Sequence, residues 1–515
     1  MMRHLLPASL AAFLAVMSLG AAAERKAPVR AVTGDLTLDR AVEIALRQNP
    51  QILTQLQQIE LTRGQVIEIR AQALPQLTLN GDFNQQDHRL LERGSPQNGT
   101  LDLKPIFDAL GIKGAAGDDS LLDHRGPSDK SYLVSLDLKQ VIYAGGQVRA
   151  AISIAHFTED SAYFQLRDTV DSIISTTRQQ FYTVLLSRAL ITVQEESVRL
   201  LGDQLKDQQN RFEAGTVPRF NVLQAEVALS NAVPDLIRAR NNYLIAELQL
   251  AKTLGLDPGP GGKVTYTAVG TLGIPERPLN LAGALALARE RRPFLKVQRL
   301  SILSQKEQIK VALAGYKPRF DAQASYIVRS PHLTDELDKA VDGWFYGVTG
   351  SWAIFDGLAT FGRVKQARAQ LESAKINYDD SVQQVELEVQ QAYANLQTAR
   401  ETIKSQQKNI EQALEALRLA SERLAAGAGT QLDVLNARVQ LTQARTTEIQ
   451  SRADYNSFLA EFDRATATDT IYDETFDDPL ARRAKKSGVV KKTAVVEAKK
   501  APADEKSARA PAKKR

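Results

Sequence analysis

The side chains best able to do chemistry are few in this 515-residue chain and poorly placed for it. Cysteine is absent, which excludes disulfides, thiolate metal sites, thiol nucleophiles and a lipidated N-terminal Cys. His4, His88, His124, His156 and His332 are scattered and form no zinc-like pattern. There is no Walker A loop, G-x-S-x-G elbow or H-E-x-x-H helix, so the expectation is a non-enzyme without cofactor or metal. The polar residues that stand out lie in two similar turns. One runs Ala214-Gly215-Thr216-Val217-Pro218-Arg219-Phe220-Asn221 after Arg211, the other Ala426-Gly427-Ala428-Gly429-Thr430-Gln431-Leu432-Asp433 after Arg423. Glycine permits the left-handed backbone that ends a helix, and Asn221 and Asp433 suit the cap of the next one.

The two ends of the chain set its compartment and its charge. Arg3 and His4, an apolar run from Leu10 to Leu19, and Ala21-Ala22-Ala23 before Glu24 read as a cleavable secretory signal over residues 1–23. No later stretch reaches the ~18 apolar residues of a transmembrane helix, so entry into a membrane requires strands. Between Arg482 and Arg515, thirteen Lys and Arg face only Glu497, Asp504 and Glu505. The basic pI of about 9.1 therefore belongs to Arg482 to Arg515, within an expected tail over 468–515, while residues 24–481 are net acidic. Its Ala-, Pro- and Lys-rich composition predicts a solvated, disordered tail, and a secreted chain gives no reason to expect a nucleic-acid partner.

Between the ends the chain repeats itself. Leu36, Leu38, Ala41, Ala45, Pro50, Gln65, Ala71 and Pro75 fall on Leu279, Leu281, Ala284, Ala288, Pro293, Gln308, Ala314 and Pro318 at a constant offset of 243. Later, Arg211, Gly215, Leu223, Ala225 and Tyr243 fall on Arg423, Gly427, Leu435, Ala437 and Tyr455 at an offset of 212. The difference lies mostly in the longer segment 87–130. We assign a first repeat to 24–255, a linker to 256–278 with Pro258-Gly259-Pro260-Gly261-Gly262 at its head, and a second repeat to 279–467.

Each repeat contains a long helix measured by heptads. Val170, Thr177, Val184, Ile191, Val198, Leu205 and Phe212 recur every seven residues, as do Val382, Val389, Leu396, Ile403, Ile410, Leu417 and Leu424. Val385, Ala392, Ala399, Ala413 and Ala420 supply a second, small seam that lets neighbouring helices approach closely. The predicted long helices, 146–214 and 361–426, are about 100 Å long. Shorter helices of about 50 Å flank the first, Leu38 to Gln72 and 219–255, and the second repeat ends in a short helix over 431–467.

Between the helices the period changes to two. Leu77, Leu79 and Phe83 alternate with polar residues, as do Tyr132, Val134, Leu136 and Leu138, predicting a hairpin within 74–143. A second hairpin, 317–356, alternates Phe320, Ala322, Ala324, Tyr326 and Val328, then Trp344, Tyr346, Val348, Gly350, Trp352 and Ile354. Each segment has the length of a tilted membrane strand, and Trp344, Tyr346, Trp352 and Tyr132 are placed as interface aromatics. Four strands cannot close a barrel, and an open edge in lipid costs several kcal/mol per unpaired backbone group. Three copies, giving twelve strands, are the smallest ring with a usable lumen.

At this point the chain resembles the TolC family of outer-membrane efflux and secretion channels. The resemblance rests on L-x-L-x-x-A-x-x-x-A-L-x-x-N-P at Leu36 to Pro50, on Tyr143-Ala144-Gly145-Gly146 and Phe355-Asp356-Gly357, and on the motifs around Arg211 and Asp433. It implies an α+β membrane protein: a homotrimer with a twelve-strand barrel in outer-membrane lipid and a helical tunnel through the periplasm of a Gram-negative bacterium. By the same resemblance Asp433, Asn436 and Asn221 form the periplasmic constriction. The docking surface for a periplasmic adaptor comprises Arg211, Gly215, Thr216, Val217, Pro218, Arg423, Gly427, Gly429, Thr430 and Gln431. The expected function is passive export for an inner-membrane RND, ABC or MFS transporter, in drug efflux or type I secretion. The alternative is a periplasmic coiled-coil adaptor or scaffold.

Overall fold

The computed structural model describes residues 34–85, 87, 130–259, 264–275, 277–330 and 340–468. The expected signal at 1–23, most of the 87–130 loop and the tail beyond Thr468 lie outside the described residues. The first repeat begins with β1 (Gly34–Leu36), α1 (Leu38–Gln48) and α2 (Pro50–Ala71). β2 (Gln76–Gln85) and β3 (Lys130–Ala144) follow, then α3 (Gln147–Glu213) and α4 (Arg219–Leu254). After β4 (Tyr266–Ala268) the order recurs: α5 (Leu281–Arg291), α6 (Pro293–Leu313), β5 (Arg319–Ser330), β6 (Val341–Ser351), α7 (Ala359–Ala425) and α8 (Gln431–Thr466).

The single helix expected from Leu38 to Gln72 is two helices. Proline forces the residue before it out of the helical region, and Asn49 accordingly has ψ 125° before Pro50. Its Oδ1 accepts from the Gln51 and Ile52 amides at 2.8 and 3.4 Å and caps the new helix. Arg292, 243 residues later, has ψ 117° before Pro293 and breaks the second copy at the same point. The expected linker also holds an unforeseen strand. β4 pairs in parallel with β1, aligning Leu36 with Ala268, both buried. Three-residue strands carry too little alternation to be read from sequence.

α3 packs against α4, α8, α2 and α6, while α7 packs against α8, α5 and α6. The apolar core sits at mid-length, where Val385, Val389, Ala392, Leu396, Ala399 and Ile403 of α7 meet Leu295, Tyr455 and Phe462. Towards the turns the seam becomes polar. Phe212, the last of its heptad run, is exposed, while Gln204, Gln208 and Gln431 are buried there alongside Val434 and Leu435.

At the opposite end of α3 and α7 stands one antiparallel sheet in the order β2-β3-β5-β6. Register stacks Leu79, Leu136, Tyr326 and Trp344 in one row, and Leu77, Leu138, Ala324 and Tyr346 in the next. This face is apolar, and most of its large side chains are exposed. The opposite face is polar: Asp137 accepts from Asn80 Nδ2 at 2.6 Å, from Ser135 Oγ at 2.7 Å and from Ser325 Oγ of the neighbouring hairpin. β2 and β6 each have one edge with no strand beside it among the described residues. The expected run of β6 to Ile354 stops at Ser351, so Trp352 lies beyond the strand, where its indole donates to Tyr316 O at 3.1 Å. Trp344 and Tyr346 are stacked with ring centroids 5.3 Å apart, and Tyr132 lies 4.8 Å from Phe83.

Candidate functional site

The first turn is built by the end of α3. Gly215 adopts φ +74°, its amide donates to Phe212 O at 2.9 Å, and the Thr216 amide and hydroxyl both donate to Arg211 O at 2.9 Å. These bonds satisfy the last carbonyls of a 67-residue helix, and Pro218 then starts α4 with φ already set for it. Arg211 is tied back to Asp207 at 2.9 Å, and Val217 is half-buried.

The second turn repeats this with one more constraint. Gly427 adopts φ +72°, and the Ala428 and Gly429 amides both donate to Arg423 O. A methyl group on Gly429 would lie 3.1 Å from Arg423 Cβ, so glycine here lets the turn close tightly on the helix. Thr430, not Asp433, caps α8. Its hydroxyl accepts from the Asp433 amide at 3.3 Å, while the Asp433 carboxylate accepts from the Thr430 amide at 2.8 Å. Asp433 is thus the third residue of a capping box, which stabilises it as an acceptor pointing back at the turn. Asn221 likewise sits three residues after the cap, Pro218, and makes no side-chain cap. The shift arises because threonine and proline three residues earlier have the extended backbone that a cap needs.

Bonds from the Thr430 amide and hydroxyl, with Arg423 nearby, hold the Asp433 carboxyl below its ordinary range. The side chain is exposed and stays charged in the neutral range, with exposed Asn436 one turn further along α8. Gln431 is buried instead of displayed, and its Oε1 lies 3.5 Å from Gln208 Nε2 of α3. Behind it Arg438 donates to Leu200 O and Arg445 to Glu196, each at 2.9 Å. The two turns are therefore held side by side by polar links between α3 and α8. No bonding in either turn resembles a reactive centre, and among the described residues no group of His, Asp and Glu is arranged to hold a metal.

One arrangement was not foreseen. Arg292 is buried at the break between α5 and α6, donating to Arg464 O at 2.6 Å and to Glu388 at 2.7 Å. Its counterpart Asn49 donates to Thr253 O at 2.7 Å. In each copy the residue before proline ties the helix break to the end of that copy's last helix. The repeat offsets contain this signal, but residue type hides it, since asparagine and arginine do not look like copies.

Comparison with known proteins decides the family. The outer membrane efflux protein family matches residues 41–256 and 284–468, which is both repeats and most of the chain. The chain belongs to the outer membrane efflux protein family. It is 24% identical over 325 residues to the outer membrane efflux protein BepC of Brucella suis, covering 62% of this chain and 69% of that one. It is 22% identical over 368 residues to the outer membrane protein TolC of Escherichia coli, covering 68% and 72%. Its fold is shared with the Campylobacter jejuni CmeC outer membrane channel at a TM-score of 0.70 and 16% identity, covering 88% and 89%. This outer membrane efflux protein is a channel of the outer membrane with a large periplasmic part, serving efflux or secretion, and the adaptor alternative falls.

Proposed function

We propose that three copies of this efflux protein close a twelve-strand barrel in the outer membrane and continue it as a helical tunnel into the periplasm. One observation carries the reading: a four-stranded sheet with an exposed apolar face, a polar opposite face and two unpaired edges. Lipid on the apolar face and a copy on each edge satisfy both the side chains and the backbone. Exposed apolar side chains on the helices agree with this. Leu53, Leu56 and Leu61 of α2, Phe220 and Val227 of α4, and Ile376 and Leu387 of α7 are all exposed in one protomer.

In this reading the turns point into the periplasm. An adaptor docks on Arg211, Gly215, Thr216, Val217, Pro218, Arg423, Gly427, Gly429 and Thr430, bringing an RND, ABC or MFS transporter that supplies the energy. Asp433, Asn436 and Asn221 line the constriction, and three Asp433 carboxylates select for cations and are blocked by multivalent ones. The buried glutamines Gln204, Gln208 and Gln431 reduce the apolar surface that parting the ends exposes.

Planar-bilayer recording tests the constriction. Asp433→Asn keeps an acceptor for the Thr430 amide and removes the charge. Cation preference should fall, and block by trivalent cations should weaken about tenfold or more. Unchanged block and selectivity would move the constriction away from Asp433.

A further inference from the structure

The internal repeat carries a contact that one protomer cannot make. α3 and α7 are both 67 residues long, and each starts from a pair of left-handed residues: Gly145 and Gly146 at φ +64° and +93°, Gly357 and Leu358 at +64° and +70°. Within the chain the start of α3 lies against the end of α6. A methyl group on Gly145 would sit 2.8 Å from Ala314 O and 3.0 Å from Ala314 Cα. The same methyl on Gly357 would meet nothing within 4 Å. The repeat partner of the α6 end is the α2 end, with Ala71 standing for Ala314. In its own chain α2 packs on α3, so an α2 that reaches α7 belongs to another copy.

The chemistry of the two seams differs in a way that points to that copy. The seam inside the chain leaves a cleft of about 560 Å³ lined by Gly146, Arg149, Lys310, Leu313 and Lys317, with Glu307 paired to Lys310 at 2.6 Å. The repeat offsets of 212 and 243 put Gly64 for Glu307, Arg70 for Leu313 and, for the other four, Leu358, Phe361, Ile67 and Leu74. All four are exposed in the protomer, at 66%, 58%, 69% and 60%. The glycine and three cations of one seam thus become four apolar side chains in the other, with Arg70 beside them. Leu358 moreover occupies a left-handed position where the first copy has glycine, and a leucine there is held against its backbone preference.

On the trimer reading above, we propose that Leu358 and Phe361 of one copy pack against Ile67 and Leu74 of the next. The contact seals the wall between copies where the strands meet the helices. Ring closure then alternates two kinds of seam, an open polar one within a chain and one closed by these four apolar side chains between chains.

The chain has no cysteine, so introduced pairs report cleanly. In the full-length protein extracted from outer membranes, Ile67→Cys with Phe361→Cys should give disulfide-linked dimers and trimers on mild oxidation, and neither single variant should. Arg149→Cys with Lys310→Cys should link within the chain, without a change of mass. Leu358→Gly should leave helical content intact and lower the temperature at which the particle dissociates in detergent by several degrees. A particle trimeric by mass in which the Ile67→Cys, Phe361→Cys pair forms no link overturns the contact and leaves the trimer standing. So does quenching by brominated phospholipid of a dye coupled to the thiol of the Phe361→Cys variant, which would put acyl chains there. A monomeric particle overturns both.

Discussion

Gly255→Val should remove the assembled protein from the membrane almost completely. Gly255 ends α4 at φ +71°, its amide donating to Lys252 O at 3.1 Å and the next amide, Leu256, to Ala251 O at 2.9 Å. A side chain there meets backbone, which cannot give way: a Cβ would lie 2.5 Å from Gln48 O and 3.0 Å from Gln48 C, at the break between α1 and α2. The left-handed backbone costs a β-branched residue more than about 1 kcal/mol, and displacing the packed break adds about 1–3 kcal/mol. The second copy supplies the control. Ala467, the counterpart of Gly255, already carries a Cβ at φ +50°, so Ala467→Gly should change stability by less than about 1 kcal/mol. Thermal unfolding of the helical signal in detergent separates the two: a shift of about 2–5 °C for Gly255→Val and little for Ala467→Gly. A Gly255→Val protein that melts with the wild type would mean that the Gln48 backbone gives way without cost.

Arg292→Ala is expected to be comparably damaging, and more so as pH rises. The guanidinium is buried between Glu388 and the end of α8, and burial, with Arg464 beside it, lowers its pKa from the ordinary value. Removing Arg292 leaves Glu388 with Arg464 alone, at 3.4 Å and partly exposed, so the cost falls below the ~3–5 kcal/mol of a fully stranded buried charge. Asp168 is part of the same group. Its pKa is already raised by burial, opposed by Arg292 and Arg464, with Glu388 raising it further. Removing Arg292 deletes the stronger opposing charge, so the folded-state pKa of Asp168 rises again. An acid whose folded pKa lies above its unfolded value stabilises the fold while protonated and loses that contribution as pH rises through the folded pKa. Chemical denaturation of Arg292→Ala should therefore show a smaller deficit near pH 5 than near pH 8. Arg292→Ala with Asp168→Asn should flatten that slope, and a slope unchanged by Asp168→Asn would remove Asp168 from the account.

The helices and strands were legible because their signals are long. Seven-residue spacing over six turns of heptad marks α7 residues Val389, Leu396 and Ile403, which lie in the core. Period-two alternation marks Leu77, Leu79, Leu136 and Leu138 on one face of the sheet. Short-range events were not legible. The break at Asn49 is a single-residue effect of Pro50, and it was hidden inside a heptad run that continues in phase on both sides. β1 and β4 pair over three residues across the length of a repeat. At the turns residue type pointed to the right place and the wrong atom, since Asp433 works as the third residue of Thr430's box. Arg292 escaped because its role is defined by position in the repeat, which composition does not show.

The account depends on the sheet being one third of a barrel. The mass of the protein portion of the detergent-extracted particle, measured by sedimentation with the detergent contribution subtracted, tests this most directly. Three chains per particle, with the β2 and β6 edges joined between copies, is the predicted result. A stable single-chain particle, soluble without detergent, would contradict it.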